Sequence, residues 1–150
     1  MEKEKTITTN KKAYHDYYVD DSYECGIQLV GSEVKSLRNS EANLKDSYAQ
    51  IKNNEIFLIN AYIAPYSKGS YFNQNPRKDR KLLLHKAEIR RLYTKVTQKG
   101  ITLIPLRLYF KGSLVKVELG LCRGKKTYDK REALKQKDIQ RTIDRQSSDY

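Results

Sequence analysis

The sequence predicts a mainly β domain, a small closed or half-closed barrel of short antiparallel strands with helices packed beside it. Three observations predict it. Strand-like runs alternate with turn residues, two pairs of runs read as hairpins, and only two segments have helical spacing. The chain has 150 residues, 38% of them hydrophobic, with 12 Tyr and 3 Phe, so one domain with a real core is expected.

The residue types between the predicted strands indicate turns. Asn53-Asn54 tolerates positive φ and is expected to join the strands on either side as a hairpin. Lys111-Gly112-Ser113 is expected to join a second pair. In the last strand, Val115, Val117 and Leu119 alternate toward the core. The strands are predicted at residues 14–19, 25–30, 48–52, 55–59, 101–110 and 114–121.

Two helices are predicted between the strands. Ser32 is the expected N-cap of a helix over residues 33–38, in which Val34 and Leu37 share one face. A second helix is expected over residues 86–98, with Ile89 and Leu92 at helical spacing and Gly100 ending it.

The charge of the chain points to a polyanionic partner. Lys and Arg number 30 against 18 Asp and Glu, which gives a net charge of +12. Such a balance is typical of proteins that bind nucleic acid or an anionic surface. No run is long enough for a membrane span and no signal peptide is visible, so we expect a cytoplasmic protein without a membrane partner. Cys25 and Cys122 are expected to be reduced, partly buried thiols.

Composition divides the chain into a body, residues 1–122, and a basic tail, residues 123–150. The tail has nine Lys or Arg against five Asp or Glu, a net of +4, and almost no large apolar groups. The body therefore has +8 and nearly all the core material. We expect the tail to be disordered in the free protein and to order on its target.

Two basic runs are candidate phosphate contacts. The first lies on a long loop and contains Arg77, Lys78, Arg80 and Lys81, where the alternative is a solubilising loop. The second, residues 123–131, combines cations with Tyr128, as in the binding of an unpaired base by charge and stacking. Its alternative is a disordered C-terminus.

Catalysis is not expected. His15-Asp16 resembles half of a catalytic dyad, but no nucleophile motif accompanies it and neighbouring strand residues point to opposite faces. Neither a zinc site nor another metal or cofactor site of usual spacing can be written. Glu24 and Glu33 are acids in a basic chain, expected either as ion-pair partners or as acceptors for base edges.

Five motifs in order resemble the SsrA-binding protein family (SmpB), the protein partners of transfer-messenger RNA. The similarity covers residues 6–145. The motifs are Asn10-Lys11-Lys12-Ala13-Tyr14-His15-Asp16-Tyr17, Tyr23-Glu24-Cys25-Gly26-Ile27, Gly31-Ser32-Glu33-Val34-Lys35-Ser36-Leu37-Arg38, Arg80-Lys81-Leu82-Leu83-Leu84-His85 and Gly124-Lys125-Lys126-Thr127-Tyr128-Asp129-Lys130-Arg131.

The resemblance implies a barrel of the oligonucleotide-binding type with two or three flanking helices. It implies binding of the transfer-RNA-like domain of transfer-messenger RNA and delivery to stalled ribosomes for trans-translation. By motif position, Asn10, Glu24 and Leu83 lie at the RNA-binding surface. With the nearby cations, the expected RNA-binding residues are Asn10, Lys11, Lys12, Glu24, Arg77, Arg80, Lys81 and Leu83.

The resemblance also implies a role for the tail on the ribosome. The residues expected at the decoding centre of the small subunit are Gly124, Lys125, Lys126, Tyr128, Asp129, Lys130 and Arg131. The later tail corresponds to a segment that becomes helical in the empty mRNA channel.

Two other functions stay open from the residues alone. A general single-stranded-RNA-binding or ribosome-associated protein would need no basic tail at a set distance from the barrel. A nuclease would need clustered carboxylates for metal, which the sequence does not show. We expect a non-enzymatic adaptor that needs no cofactor and is a monomer when free.

Overall fold

A seven-stranded antiparallel sheet that closes on itself forms the body of the protein. The computed structural model describes residues 3–66, 75–98 and 100–125. The strands in these ranges are β1 (Glu4–Thr9), β2 (Tyr17–Ile27), β3 (Ala42–Asn43), β4 (Tyr48–Lys52), β5 (Glu55–Ile59), β6 (Tyr62–Ile63), β7 (Arg80–Leu83), β8 (Ile101–Lys111) and β9 (Leu114–Gly124). The helices are α1 (Lys11–Asp16), α2 (Gly31–Arg38) and α3 (Lys86–Val96).

The order of the strands closes the barrel. The sheet runs β1-β8-β4-β5-β7-β2-β9, and β9 also pairs with β8. The strands from β8 round to β9 therefore form a ring, with β1 attached to β8 outside it. A separate two-stranded sheet pairs β3 with β6. The predicted mainly β barrel of short antiparallel strands with two or three flanking helices is confirmed, and the described residues form three helices.

Both predicted hairpins are confirmed. In the first, Lys52 pairs with Glu55, and Asn53 and Asn54 have φ of 51° and 62°, the left-handed values that a two-residue turn of this kind requires. In the second, Lys111 pairs with Leu114, and Gly112 has a φ of 61°. Both strands of the second hairpin extend beyond their predicted ends, and β9 reaches Gly124.

The strand predicted over residues 14–19 is wrong at its beginning. Residues 11–16 form α1, and the strand starts at Tyr17. This strand continues to Ile27, so it also includes the first half of the separate strand predicted over residues 25–30. The cause is a helix cap that the alternating aromatic residues obscured. The side chain of Asn10 accepts a hydrogen bond from the Ala13 amide at 3.2 Å, which satisfies a free donor of the first turn.

The predicted N-cap of the second helix is also corrected. Ser32 lies inside α2, which begins at Gly31 and has Val30 as its N-cap. The carboxylate of Glu33 accepts a hydrogen bond from the Val30 amide at 3.0 Å. α3 matches its prediction apart from its last two residues, and both Ile89 and Leu92 are buried.

Two apolar clusters hold the barrel together. The larger fills the interior and takes in Leu37 of α2 and Ile89 and Leu92 of α3. The smaller lies outside the sheet, where Ala13 of α1 covers the side chains of Ile104, Leu106 and Cys122. α1 is therefore fixed to the outer surface of β8 and β9.

The two cysteines are free and buried, one in each cluster. Burial raises the pKa of Cys25 to about 12 and that of Cys122 to about 11. Because both groups stay protonated at neutral pH, neither is a reactive thiolate there. Within the described ranges, no helix is long and apolar enough to cross a membrane.

Candidate nucleic-acid interface

One outward face of the barrel gathers three of the predicted RNA-binding residues. In β2, Glu24 and Gly26 point outward while Cys25 and Ile27 are buried. Gly26 pairs with Leu83 of β7, and Lys81 lies on the same side of that strand two residues earlier. We call this surface, defined by Glu24, Gly26, Lys81 and Leu83, the Glu24 face.

Leu83 is the apolar centre of this face. It lies in β7 and is 50% exposed. A Cβ built on Gly26 would lie 3.1 Å from the Leu83 Cβ, so the glycine leaves the space that this leucine occupies. A cleft of about 480 Å³ opens beside Leu83 and is rimmed by Asn53, Asn54 and Lys86. The arrangement offers an apolar contact beside amide and ammonium groups.

Lys81 brings a cation to the same face. Its ammonium lies 2.5 Å from a carboxylate oxygen of Glu55, and both side chains are more than a third exposed. An exposed pair of this kind contributes little stability. A phosphate group can therefore replace Glu55 as the ion-pair partner of Lys81 at a small cost in free energy.

Glu24 is held by groups from a strand that does not adjoin its own. The Tyr109 hydroxyl of β8 donates a hydrogen bond to Oε2 at 2.5 Å, and the Lys111 ammonium lies 3.2 Å from Oε1. The Tyr109 hydrogen bond is the main reason that the pKa of Glu24 is lowered. Glu24 is therefore ionised at neutral pH, a pure hydrogen-bond acceptor in a basic protein.

A second group of predicted cations lies at the other end of the barrel. Lys12 pairs with Asp46 at 3.0 Å, and the Asn60 amide donates to the Asp46 carbonyl. Arg77 donates to the Asn60 carbonyl and lies 5.2 Å from the centre of the Tyr62 ring.

The strand β5 separates the two groups. It begins at Glu55, next to Lys81, and ends at Ile59, just before Asn60. Its five residues span about 13 Å. Lys12 and Arg77 therefore lie about one strand length from Lys81.

Arg80 does not lie on the surface, and its prediction as an RNA contact is corrected. Its side chain is 1% exposed and its Nε lies 2.6 Å from Oε2 of the buried Glu33. Its terminal nitrogens donate to the Ala61 carbonyl at 2.7 Å and the Pro76 carbonyl at 2.9 Å. Buried charge needs this full set of partners. Arg80 is thus a structural residue, and Glu33 is its ion-pair partner rather than an acceptor for a base.

Asn10 is corrected for the same reason. It is buried, and its amide donates to the carbonyls of Pro105 at 2.9 Å and Leu44 at 3.4 Å. Its oxygen caps α1 through the Ala13 amide. Its side-chain nitrogen and oxygen both form hydrogen bonds inside the protein, so Asn10 positions α1.

The beginning of the tail lies against α1 and β2. Gly124 pairs with Tyr17 as the last residue of β9. The Lys125 ammonium donates to the Tyr14 carbonyl at 3.1 Å and lies 5.3 Å from the centre of the Tyr18 ring. The other tail residues predicted to act on the ribosome, Lys126, Tyr128, Asp129, Lys130 and Arg131, lie outside the described residues.

Sequence reasoning missed the residues that support Glu24. The first is Tyr109, and the second is Arg107, whose guanidinium lies 3.9 Å from the centre of the Tyr109 ring. Lys111 completes an i, i+2 series on β8, so strand alternation could have placed all three on one side. Their meeting with Glu24 needed the pairing order of the sheet.

No catalytic arrangement accompanies these groups in the described part of the chain. His15 and Asp16 form an exposed pair on α1, with 2.8 Å between Nδ1 and Oδ1. Residues 3–66, 75–98 and 100–125 contain no group of three His, Cys, Asp or Glu able to hold a metal ion. The groups present suit the binding of phosphate, base edges and apolar surface.

Comparison with known proteins agrees with this chemistry. The model of the SmpB protein family matches residues 7–149. An SsrA-binding protein of Clostridium perfringens is 57% identical over 142 residues, covering 95% of this chain and 91% of the relative. The SsrA-binding protein of Carboxydothermus hydrogenoformans is 54% identical over 142 residues and 95% of each chain.

A solved structure gives the same result for the fold. It is described as "tmRNA-SmpB: a journey to the center of the bacterial ribosome" and superposes with a TM-score of 0.68 at 54% identity. The match covers 79% of this chain and 83% of that chain. On the family match and these identities, the chain belongs to the SmpB protein family.

Proposed function

We propose that this protein binds the transfer-RNA-like domain of transfer-messenger RNA and delivers it to stalled ribosomes, where the nascent chain is tagged and the ribosome is released. The observation that carries the proposal is identity of 54–57% with SsrA-binding proteins over at least 93% of the chain. The description of the related solved structure mentions transfer-messenger RNA and the bacterial ribosome together with SmpB.

The Glu24 face is the proposed contact for the folded RNA. Leu83 supplies apolar surface against a ribose or base, Lys81 supplies charge for a phosphate, and Glu24 accepts hydrogen bonds from base amino groups. A cation attracts the phosphates of any RNA. An ionised carboxylate repels phosphates, so it is favourable only where the RNA places a hydrogen-bond donor against it. Glu24 therefore favours one RNA over others.

Lys11, Lys12 and Arg77 are proposed as phosphate contacts at the other end of the barrel. All three are exposed, and the partners of Lys12 and Arg77, the Asp46 carboxylate and the Asn60 carbonyl, form exposed contacts with them. Contacts of this type hold an RNA in register without reading its sequence.

The tail is the proposed ribosomal part of the protein. Gly124, Lys125, Lys126, Tyr128, Asp129, Lys130 and Arg131 would enter the decoding centre of the small subunit and supply the charge and stacking that an anticodon arm normally provides. The residues that follow would occupy the empty mRNA channel. The body, residues 1–122, would bind RNA without the tail.

The protein is proposed to act in the cytoplasm, where ribosomes translate, by binding alone. It would supply a surface and a tail to reactions catalysed by the ribosome. Neither a cofactor nor a metal ion takes part in the proposed action.

A reconstituted translation system tests the proposal. Ribosomes stalled on an mRNA without a stop codon are given transfer-messenger RNA, with or without the full-length protein. Tagged nascent chain that appears only with the protein supports the function. Tight RNA binding with no tagging would overturn the role as a delivery factor and leave that of a general RNA-binding protein.

A further inference from the structure

We propose that Tyr109 is the positioning residue for Glu24: its buried hydroxyl fixes the carboxylate so that the free lone pairs face the RNA. The inference rests on the proposed function, in which Glu24 contacts the transfer-RNA-like domain. It adds a residue outside the sequence motifs and gives it a role that does not involve touching RNA.

The contact crosses a whole strand. The strand β9 lies between β2 and β8. Glu24 of β2 pairs with Glu118 of β9, and Tyr109 of β8 pairs with Lys116 of β9. The Tyr109 side chain therefore reaches over β9 to meet the Glu24 side chain. Tyr109 is 2% exposed, while the Glu24 side chain is 39% exposed. One end of the hydrogen bond is thus fixed in packed protein and the other lies at the surface.

Tyr109 is itself held in place. The guanidinium of Arg107 stacks on its ring at 3.9 Å. Arg107 in turn lies 2.7 Å from Glu4 of β1 and 3.7 Å from Glu118. Glu4, Arg107, Tyr109 and Glu24 form a continuous line of contacts from β1 to β2. A side chain anchored in this way has little rotational freedom to lose when RNA binds.

The charged groups named around Glu24 lie on the β9 side of β2. From β8 it meets Tyr109 and Lys111, with Arg107 behind the tyrosine ring. From β9 it meets Lys116 and the opposite carboxylate of Glu118. Tyr109 holds the pKa of Glu24 below its usual range, and burial raises the pKa of Tyr109 far above its own. The tyrosine is therefore a hydrogen-bond donor at every physiological pH.

Tyr109→Phe removes the hydroxyl and keeps the ring. Tyr93→Phe is the matched control, because Tyr93 is more than half exposed on α3. Binding of the transcribed transfer-RNA-like domain and of an elongator transfer RNA is measured by filter binding with the full chain, below each variant's Tm. We expect about tenfold weaker binding of the first RNA by Tyr109→Phe, as for loss of a charged hydrogen bond. Binding of the second RNA and both affinities of the control should be unchanged.

A pH profile separates positioning from simple packing. The hydrogen bond from Tyr109 is the main cause of the lowered pKa of Glu24. Because Tyr109→Phe removes this hydrogen bond, it should raise the pKa of Glu24. On acidification, binding should therefore weaken at a higher pH in Tyr109→Phe than in the natural protein. Carbon-13 NMR titration of the Glu24 carboxyl group should show the same displacement. Equal profiles would overturn the proposal even if Tyr109→Phe is less stable.

The variant Glu24→Gln tests the proposed RNA contact of Glu24 separately from the positioning role of Tyr109. If Glu24→Gln binds the transfer-RNA-like domain like the natural protein, the proposed interface is wrong and Tyr109 has nothing to position. If Glu24→Gln weakens binding but Tyr109→Phe does not, the interface stands and the positioning role falls. The double variant should bind no more weakly than Glu24→Gln alone, because both changes act through one carboxylate.

Discussion

Arg80 and Glu33 form a buried ion pair, with 2.6 Å between Nε and Oε2, that joins β7 to α2. The same guanidinium donates to the carbonyls of Ala61 and Pro76. One side chain thus links a helix, a strand and the segments that precede and follow residues 67–74. Arg80 lies between exposed cations in the sequence, yet its role is to hold the fold together.

Arg80→Ala should destabilise the protein by about 3–5 kcal/mol, because the buried Glu33 would lose its nearest cation and keep only Lys78, whose ammonium lies 3.5 Å away. Urea unfolding measures the effect. Arg77→Ala is the control, since Arg77 is exposed, and it should change stability by less than about 1 kcal/mol. Equal stability of Arg80→Ala and the natural protein would contradict the structural role.

Asn10→Ala should also act through stability. It removes the cap of α1 and leaves the buried Pro105 carbonyl without its donor. A cap contributes about 1 kcal/mol and an unsatisfied buried group about 1–3 kcal/mol. Thermal unfolding should show the loss, with Lys11→Ala as the exposed control. Loss of RNA affinity by a fully folded Asn10→Ala protein would contradict this assignment.

Gly26→Ala should damage the Glu24 face. The new methyl group would lie 3.1 Å from the Leu83 Cβ, so Leu83 must shift outward. We expect weaker binding of the transfer-RNA-like domain with only a small change in Tm. Gly31→Ala is the control, because a Cβ there meets nothing within 4 Å. If both variants bind equally well, Leu83 does not contact the RNA.

The salt dependence of binding should separate the two kinds of contact on the Glu24 face. Lys81→Gln should lower the slope of log K against log salt by about 0.7–0.9, the value for one lost phosphate contact. Glu24→Gln should leave the slope unchanged and reduce discrimination between RNAs. Titrations at several salt concentrations measure both effects. An unchanged slope in Lys81→Gln would show that this lysine meets no phosphate.

Replacement of Tyr128, Asp129, Lys130 and Arg131 together by Ala should separate binding from function. These residues follow the last strand of the barrel by a few positions, so affinity for isolated transfer-messenger RNA should stay within a few fold. Tagging on stalled ribosomes should fall by orders of magnitude. Four alanines at residues 146–149 are the control. Loss of RNA binding, or normal tagging, by the first variant would contradict the division of labour.

The hairpins and the second half of the barrel could be predicted because their signals are local. Asn53-Asn54 and Gly112 define turns by backbone preference, and the strands beside them alternate in polarity. The region of α1 could not be predicted in this way. Tyr14 fits an alternating strand, whereas the cap by Asn10 and the burial of Ala13 against Ile104, far along the chain, favour a helix.

The sequence indicated the candidate residues whose side chains face solvent. It did not indicate which side chains contact other parts of the protein. Glu24, Lys81 and Leu83 lie on the neighbouring strands β2 and β7 with their side chains outward, and they stay predicted RNA contacts. Arg80 looked like its exposed neighbours, since its partner Glu33 lies 47 positions away. Tyr109 gave no sign of its contact with Glu24 because a strand that follows it in sequence lies between them in space.

Identification of the RNA that copurifies with the full-length protein from its native cell tests the central claim most directly. The protein is isolated under mild salt, and its RNA is extracted and sequenced, with Glu24→Gln purified in parallel. We expect one dominant RNA that combines a transfer-RNA-like domain with a tag-encoding reading frame, and its depletion from the variant. A broad mixture of ribosomal and messenger fragments, equal in both preparations, would contradict the account.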